Sequence, residues 1–147
     1  MPKRREVLPE ELEELFVELW QLPGFVSQRG RYRPAVDCYR TDDPPAVTVV
    51  VDLAGIDPAD VDITVSERTV SIVGRRSRPR LAGPVSYRQM EIEYGQFRRR
   101  VALAEDVDPE GAEAHYEHGL LTIVMPLAQK PRTGRIVIVY GESRGSR

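Results

Sequence analysis

The spacing of apolar residues changes character twice along the chain. Residues 9–20, PEELEELFVELW, place Leu12, Leu15, Phe16 and Leu19 at i, i+3, i+4 and i+7, one stripe of a 3.6-residue helix. Pro9 suits a first helical turn, and Glu10, Glu11, Glu13 and Glu14 sit where the positive end of the helix dipole favours carboxylates. Gln21-Leu22-Pro23-Gly24 then stops the pattern. A helix of about twelve residues is marginal alone in water, so its stripe needs a partner: its own core, another subunit or a client. Residues 25–33 lack periodicity and read as a linker.

From residue 35 the period becomes two. Residues 35–39, 46–53, 61–66, 69–74, 96–103, 112–116 and 120–126 read as short strands divided by Pro, Gly and Asp. Pro44-Pro45 and Asp57-Pro58 mark turns, because proline fixes φ and removes a backbone donor. Ser66-Glu67-Arg68-Thr69 predicts a tight hairpin, without the Asn-Gly that a primed turn prefers. The nineteen-residue connection 75–93 opens with Arg75, Arg76, Arg78 and Arg80, and its segment 85–92 is apolar enough for a strand of its own. Loops of that length in a compact domain call for a functional or interfacial explanation. An eight-residue connector, 128–135, leads to the isolated run Ile136-Val137-Ile138-Val139-Tyr140. In an extended tail Ile136 and Ile138 share one face and Val137 takes the other. Seven to nine short strands predict an all-β fold, an antiparallel β-sandwich of immunoglobulin-like size. The Cys…Trp…Cys signature of true immunoglobulin domains is missing.

Composition narrows the function. A chain of 147 residues allows one domain and little more. The 21 Lys and Arg against 23 Asp and Glu leave a net charge of −2, too even for a protein that coats nucleic acid. The charge is unevenly spread: residues 1–33 are neutral, 34–127 carry −6 and 128–147 carry +4. A basic tail beside an acidic middle favours electrostatic docking of one on the other. No stretch approaches the ~18–20 apolar residues of a membrane-spanning helix, so stable membrane insertion is not expected. The charged start, MPKRRE, is unlike a secretory signal. A single cysteine, Cys38, makes no internal disulfide, and the expected compartment is a reducing cytoplasm. In its strand Cys38 is expected to be a small buried hydrophobe. Arg outnumbers Lys nineteen to two and Asn is absent, which fits a heat-tolerant protein and equally a codon bias.

Candidate chemistry is sparse. There is no phosphate-cradling glycine motif and no G-x-S-x-G nucleophile elbow. His115 and His118 stand three apart, which in a strand sends them to opposite faces and spoils a two-ligand metal site. Arg98-Arg99-Arg100 lacks the interleaved aromatics of a nucleic-acid surface and reads as a solvated or ion-paired strand. No enzyme activity, cofactor or metal is expected.

Several motifs together resemble the small heat-shock protein family, whose α-crystallin domain is a β-sandwich between a variable N-terminal arm and a short C-terminal tail. Arg33-Pro34-Ala35-Val36-Asp37 with Asp52-Leu53-Ala54-Gly55-Ile56 is similar to the family's opening strands and "D-L-P-G" turn, with Ala54 for proline. Val70-Ser71-Ile72-Val73-Gly74-Arg75-Arg76 looks like "L-x-I-x-G-x-R", and Glu93-Tyr94-Gly95-Gln96-Phe97-Arg98-Arg99 like the "Y-G-x-F-x-R" stretch. Ala114-His115-Tyr116-Glu117-His118-Gly119-Leu120-Leu121 matches "A-x-x-x-n-G-V-L", with His118 for Asn and Leu120 for Val. Ile136-Val137-Ile138 matches the tail's I-x-I. Departures are Ala104 and Leu127 in place of the usual proline and lysine, and Glu91-Ile92 where relatives often carry Glu-Arg and an ion pair.

The resemblance implies an arm over 1–33, a sandwich over 34–127 with a swap loop at 75–93, and a C-terminal extension over 128–147. It implies an ATP-independent holdase that keeps partly unfolded clients from aggregating under stress, assembled as a homo-oligomer of strand-swapped dimers. Leu12, Leu15, Phe16, Leu19 and Trp20 of the arm are the expected client-binding residues. Val85, Tyr87, Met90 and Ile92 are expected on the swapped strand. Ile136 and Ile138 are the expected tail knobs, received by a groove between the strand of Ile63 and Val65 and the strand of Ala114 and Tyr116. The alternative from another class is a β-sandwich co-chaperone adaptor that binds a single folded partner.

Overall fold

Segments 46–53, 61–66, 69–74 and 120–126 each carry a row of apolar side chains on one face, and the rows meet as a core between two sheets. The computed structural model describes residues 32–66 and 68–141. Its strands are β1 (Val36–Asp42), β2 (Pro45–Asp52), β3 (Asp62–Ser66), β4 (Thr69–Arg76), β5 (Gly95–Ala102), β6 (Glu113–Glu117), β7 (Leu120–Pro126), β8 (Gly134–Ile136) and β9 (Ile138–Val139). One sheet runs β1-β2-β7-β6-β9 and the other β5-β4-β3-β8. Every pairing is antiparallel except that of β9, which lies parallel to β6. A single 3₁₀ turn, Pro58–Asp60, is capped by the Asp57 carboxylate, which accepts from the Ala59 amide at 3.0 Å.

The core is set by cross-strand partners. Val47, Val49 and Val51 of β2 stand opposite Met125, Ile123 and Leu121 of β7, all buried. Val65 and Ile63 of β3 likewise oppose Val70 and Ile72 of β4. Gly74 has a steric reason: a Cβ there would lie 2.8 Å from the Phe97 ring and 2.9 Å from the Asp60 carbonyl oxygen. The β6–β7 hairpin closes through His118 and Gly119 at φ +52° and +78°, the positive values that a primed turn demands at both central positions.

Two expectations need correction. Cys38 is exposed, not buried. Its backbone partner Val49 is fully buried, but β1 is an edge strand whose side chains are almost all exposed. Alternation assigns the side of the strand, and burial also needs a second sheet beneath it. Residues 77–94, between β4 and β5, form no strand within the chain. A strand needs a neighbouring edge for its hydrogen bonds, and the segment pairs with none here.

Candidate functional site

The tail determines the geometry of the first candidate surface. Val137 alone separates β8, which pairs with β3 in one sheet, from β9, which pairs with β6 in the other. The edges of β3 and β6 therefore lie on one flank of the sandwich, and β1 and β5 border the opposite flank. Ile136 sits opposite Ile63 and is 3% exposed, Ile138 sits opposite the fully buried Ala114, and Val137 is 77% exposed. Ile138 and Tyr116 are partly buried against the same core. The tail thus lies along β3 at Ile63 and Val65 and along β6 at Ala114, in a slot between the two edges, while Tyr116 of β6 has no partner position on the tail.

Charge fixes the tail's approach. Arg135 pairs with Asp62, and Arg132 lies 3.6 Å from Asp108 and 3.8 Å from Glu110. The root is held by the backbone: the Asp108 amide donates to Pro126 and the Ala128 amide to Asp106, both at 2.8 Å. The buried Val107 bridges to Leu127. Arg68 grips the same loop, its Nε donating to Asp106 at 3.0 Å, which raises the guanidinium pKa.

At the far end of the sandwich two tyrosines converge on consecutive carbonyls. Tyr116 donates to Leu53 at 2.8 Å and Tyr32 to Asp52 at 2.7 Å. Burial pushes both phenol pKa values up; for Tyr32 the nearby Arg76 charge opposes part of the rise. The Arg76 guanidinium lies 3.8 Å above the Tyr32 ring, and that ring meets Phe97 edge to face at 5.4 Å. Arg76 also donates to the Glu93 carbonyl from Nε at 2.7 Å and from Nη2, and to Ala54 at 3.3 Å. One arginine thereby ties together both ends of the 77–94 loop.

That loop is the second candidate surface. Val85, Tyr87, Met90 and Ile92 are all exposed, Ile92 at 64%, and Leu81 joins them. Arg78 stacks near Tyr94 at 4.9 Å and Tyr87 at 5.9 Å. On the same flank Arg40 pairs with Glu105 at 3.2 Å. Partial burial pushes the Cys38 thiol up, so it is not an activated thiolate.

Alternation sends Arg99 to the strand face opposite Arg98 and Arg100, and what sequence reasoning missed is that this face is buried. Arg99 shares a β5 face with the fully buried Phe97 and with Val101, and its buried Nε has no partner among the described residues. The signal was available in the alternation Phe97, Arg99, Val101, but the charge run masked it. Burial lowers the pKa of Arg98, on the opposite face. His115 and His118 are both exposed beside their own glutamates, Glu113 and Glu117. The arm residues Leu12, Leu15, Phe16, Leu19 and Trp20 lie outside the described residues. Among the described residues no helix is long and apolar enough to cross a membrane, and no three His, Cys, Asp or Glu are grouped to hold a metal ion.

Comparison with known proteins gives these surfaces a context. The chain is similar to the 19.0 kDa class II heat shock protein of Oryza sativa subsp. japonica, 36% identical over 112 residues, 68% of this chain and 64% of that one. It is 26% identical to small heat shock protein C2 of Rickettsia felis over 135 residues, 92% of this chain and 86% of that one. Its fold matches a small heat-shock protein from Xylella fastidiosa with a TM-score of 0.57 at 34% identity, over 69% of this chain and 93% of that one. Heat shock protein 16.0 from Schizosaccharomyces pombe matches with a TM-score of 0.61 at 25% identity, over 74% and 99%. Residues 39–140 match the Hsp20/alpha crystallin family, and with that span, fold and set of relatives the chain belongs to this family of small heat shock proteins.

Proposed function

We propose that the chain is an ATP-independent holdase of the cytoplasm, which binds partly unfolded clients and keeps them from aggregating. The observation that supports this reading is the slot between β3 and β6, apolar inside and filled by the chain's own short tail segment. Burying Ile136 and Ile138 contributes roughly 3–6 kcal/mol gross. Ordering each tail residue costs about 1–2 kcal/mol, so a single tail holds weakly and opens readily. Many tails acting together still hold an assembly.

A second copy's tail can make the same contacts, which joins subunits and leaves each slot free to open under heat. The exposed row of Val85, Tyr87, Met90 and Ile92 suits exchange between two copies, each loop pairing with the partner's open β1 edge to give a strand-swapped dimer. The orphaned Nε of Arg99 at the β5 edge fits a flank completed by a further chain. Leu12, Leu15, Phe16, Leu19 and Trp20 of the arm supply further apolar surface for clients.

The purified chain is expected to suppress light scattering from a heat-aggregating client at near-stoichiometric subunit ratio without nucleotide. A requirement for ATP, or failure at large excess, overturns the assignment.

A further inference from the structure

The slot between β3 and β6 reads more of the tail than its two isoleucines. Gly134 stands opposite Val65 on β3, and a Cβ at Gly134 would lie 2.7 Å from Cγ and 3.0 Å from Cβ of Pro109. Pro109 is buried and its ring is stiff, so it cannot swing aside as a long side chain would. Gly134 has no positive φ, so its requirement is for space and not for backbone freedom. One residue on, Arg135 stands opposite Thr64 and reaches diagonally to Asp62 on the outer face. Ile136 then enters the core, Val137 points to solvent, and Ile138 rests over Ala114. The specified positions run consecutively: no side chain, a cation, an apolar knob, a free position and a second knob.

We propose that Pro109 and Asp62 are the specificity-determining residues of this slot, restricting the second-copy tail proposed above to the extended segment Gly-Arg-Ile-x-Ile. The proposal rests on the reading of the slot as the tail's receptor and adds which tails it accepts. Tails carrying Ile-x-Ile behind a larger or acidic residue are rejected, the first by the Pro109 ring and the second by the Asp62 carboxylate. Copies of this chain thereby assemble with each other in preference to chains that share only the two isoleucines.

The test uses the full chain with Ile136→Ala and Ile138→Ala, which frees the slot, and a fluorescent peptide of residues 130–140 followed by anisotropy. The native peptide is expected to bind. Gly134→Ala in the peptide is expected to weaken binding by about tenfold or more, as overpacking against a buried ring does. Arg135→Glu is expected to weaken it about three- to tenfold, in keeping with a half-exposed pair turned repulsive. Adding Asp62→Lys to the receptor should reverse the order, so that the Arg135→Glu peptide binds better than the native one. Equal binding of all peptides overturns the selectivity while leaving the slot a tail receptor; no binding by the native peptide overturns both. Hydrogen exchange in the otherwise unaltered chain provides a readout that does not depend on the double variant. Gly134→Ala should deprotect the Ile136 amide and leave the β2–β7 amides unchanged, and unchanged protection of Ile136 again overturns the role of Pro109.

Discussion

The two flanks of the sandwich both begin as strand edges with unspent hydrogen-bonding groups, and the described residues finish only one of them. On the β3/β6 flank the tail adds a strand to each sheet and drives Ile136 into the core. On the β1/β5 flank no described strand is added. There the loop 77–94 folds on an arginine–tyrosine stack, its apolar side chains exposed. The difference lies in what each segment offers. The tail has knobs two apart and basic residues that meet Asp62, Asp108 and Glu110. The loop has apolar side chains but pairs with neither β1 nor β5, the open edges of its own chain. An edge covered by five residues of the same chain is finished within the subunit, whereas an open one stays available to a strand from elsewhere.

Paired substitutions give the largest effect and the most direct way to break the contrast. Ile136→Ala is expected to undock the tail and to lower the unfolding free energy of the folded unit by about 1–2 kcal/mol, since a tail that opens readily caps the loss below that of a fully enclosed core position. With Ile138→Ala added, native mass spectrometry should show dimers or small species. On the other flank, Val85→Ala with Ile92→Ala should leave unfolding within about 0.5 kcal/mol of the parent, because both side chains are already exposed. That pair should instead raise the concentration at which dimers separate in sedimentation. If the loop pair destabilises the separated subunit as much as Ile136→Ala does, the flanks do not differ as described.

Much of this was legible because alternation and turn chemistry are local. Seven strands lie within a few residues of where period two places them, although His118, read with the strand, sits in the primed turn after it. What local pattern leaves out is whatever depends on a distant surface. Cys38 has the inward parity of its strand, yet it is exposed because β1 lies at the rim. Arg99 has the parity of Phe97 and Val101, and its charge suggested solvent where the backbone turns it inward. The apolar content of 85–92 signals a strand, but apolar content does not fix which edge a segment joins, and this one joins neither β1 nor β5 of its own chain. The isoleucine spacing told which side chains share a face; the parallel pairing of β9 on β6 follows only once both sheets are in place.

A smaller effect is expected at the base of the open flank. Arg76→Lys keeps the charge but loses the planar fork, and with it the paired donation to Glu93 and the stack on Tyr32. The expected cost is about 1 kcal/mol, felt mainly in the loop. Limited proteolysis should cut within residues 77–94 several-fold faster while the β2–β7 core resists as before. Equal cleavage rates mean that the loop is held by something other than this arginine, and Arg78→Lys becomes the next test.

The smallest effect compares the two tyrosines whose hydroxyls meet at Asp52 and Leu53. Burial raises both phenol pKa values above the ordinary value near 10, so the folded chain keeps these protons longer than the unfolded chain does. The stability carried by the neutral phenols is therefore intact below pH 10, and it is lost as pH rises from there through the raised folded-state values. Tyr116→Phe and Tyr32→Phe should each cost about 1 kcal/mol near neutrality by leaving a carbonyl without its donor. Each should also flatten the alkaline loss measured by denaturant unfolding from about pH 8 to about pH 11. The flanks separate on a further substitution. The Arg76 charge opposes the rise at Tyr32 and is not among the influences on Tyr116. Arg76→Gln should then enlarge the alkaline loss and extend it to higher pH, with its onset near pH 10 unchanged, in the Tyr116→Phe background, where Tyr32 remains, and leave it unaltered in the Tyr32→Phe background. A change of equal size in both backgrounds would mean that Arg76 acts on the sandwich as a whole and not on the open flank alone.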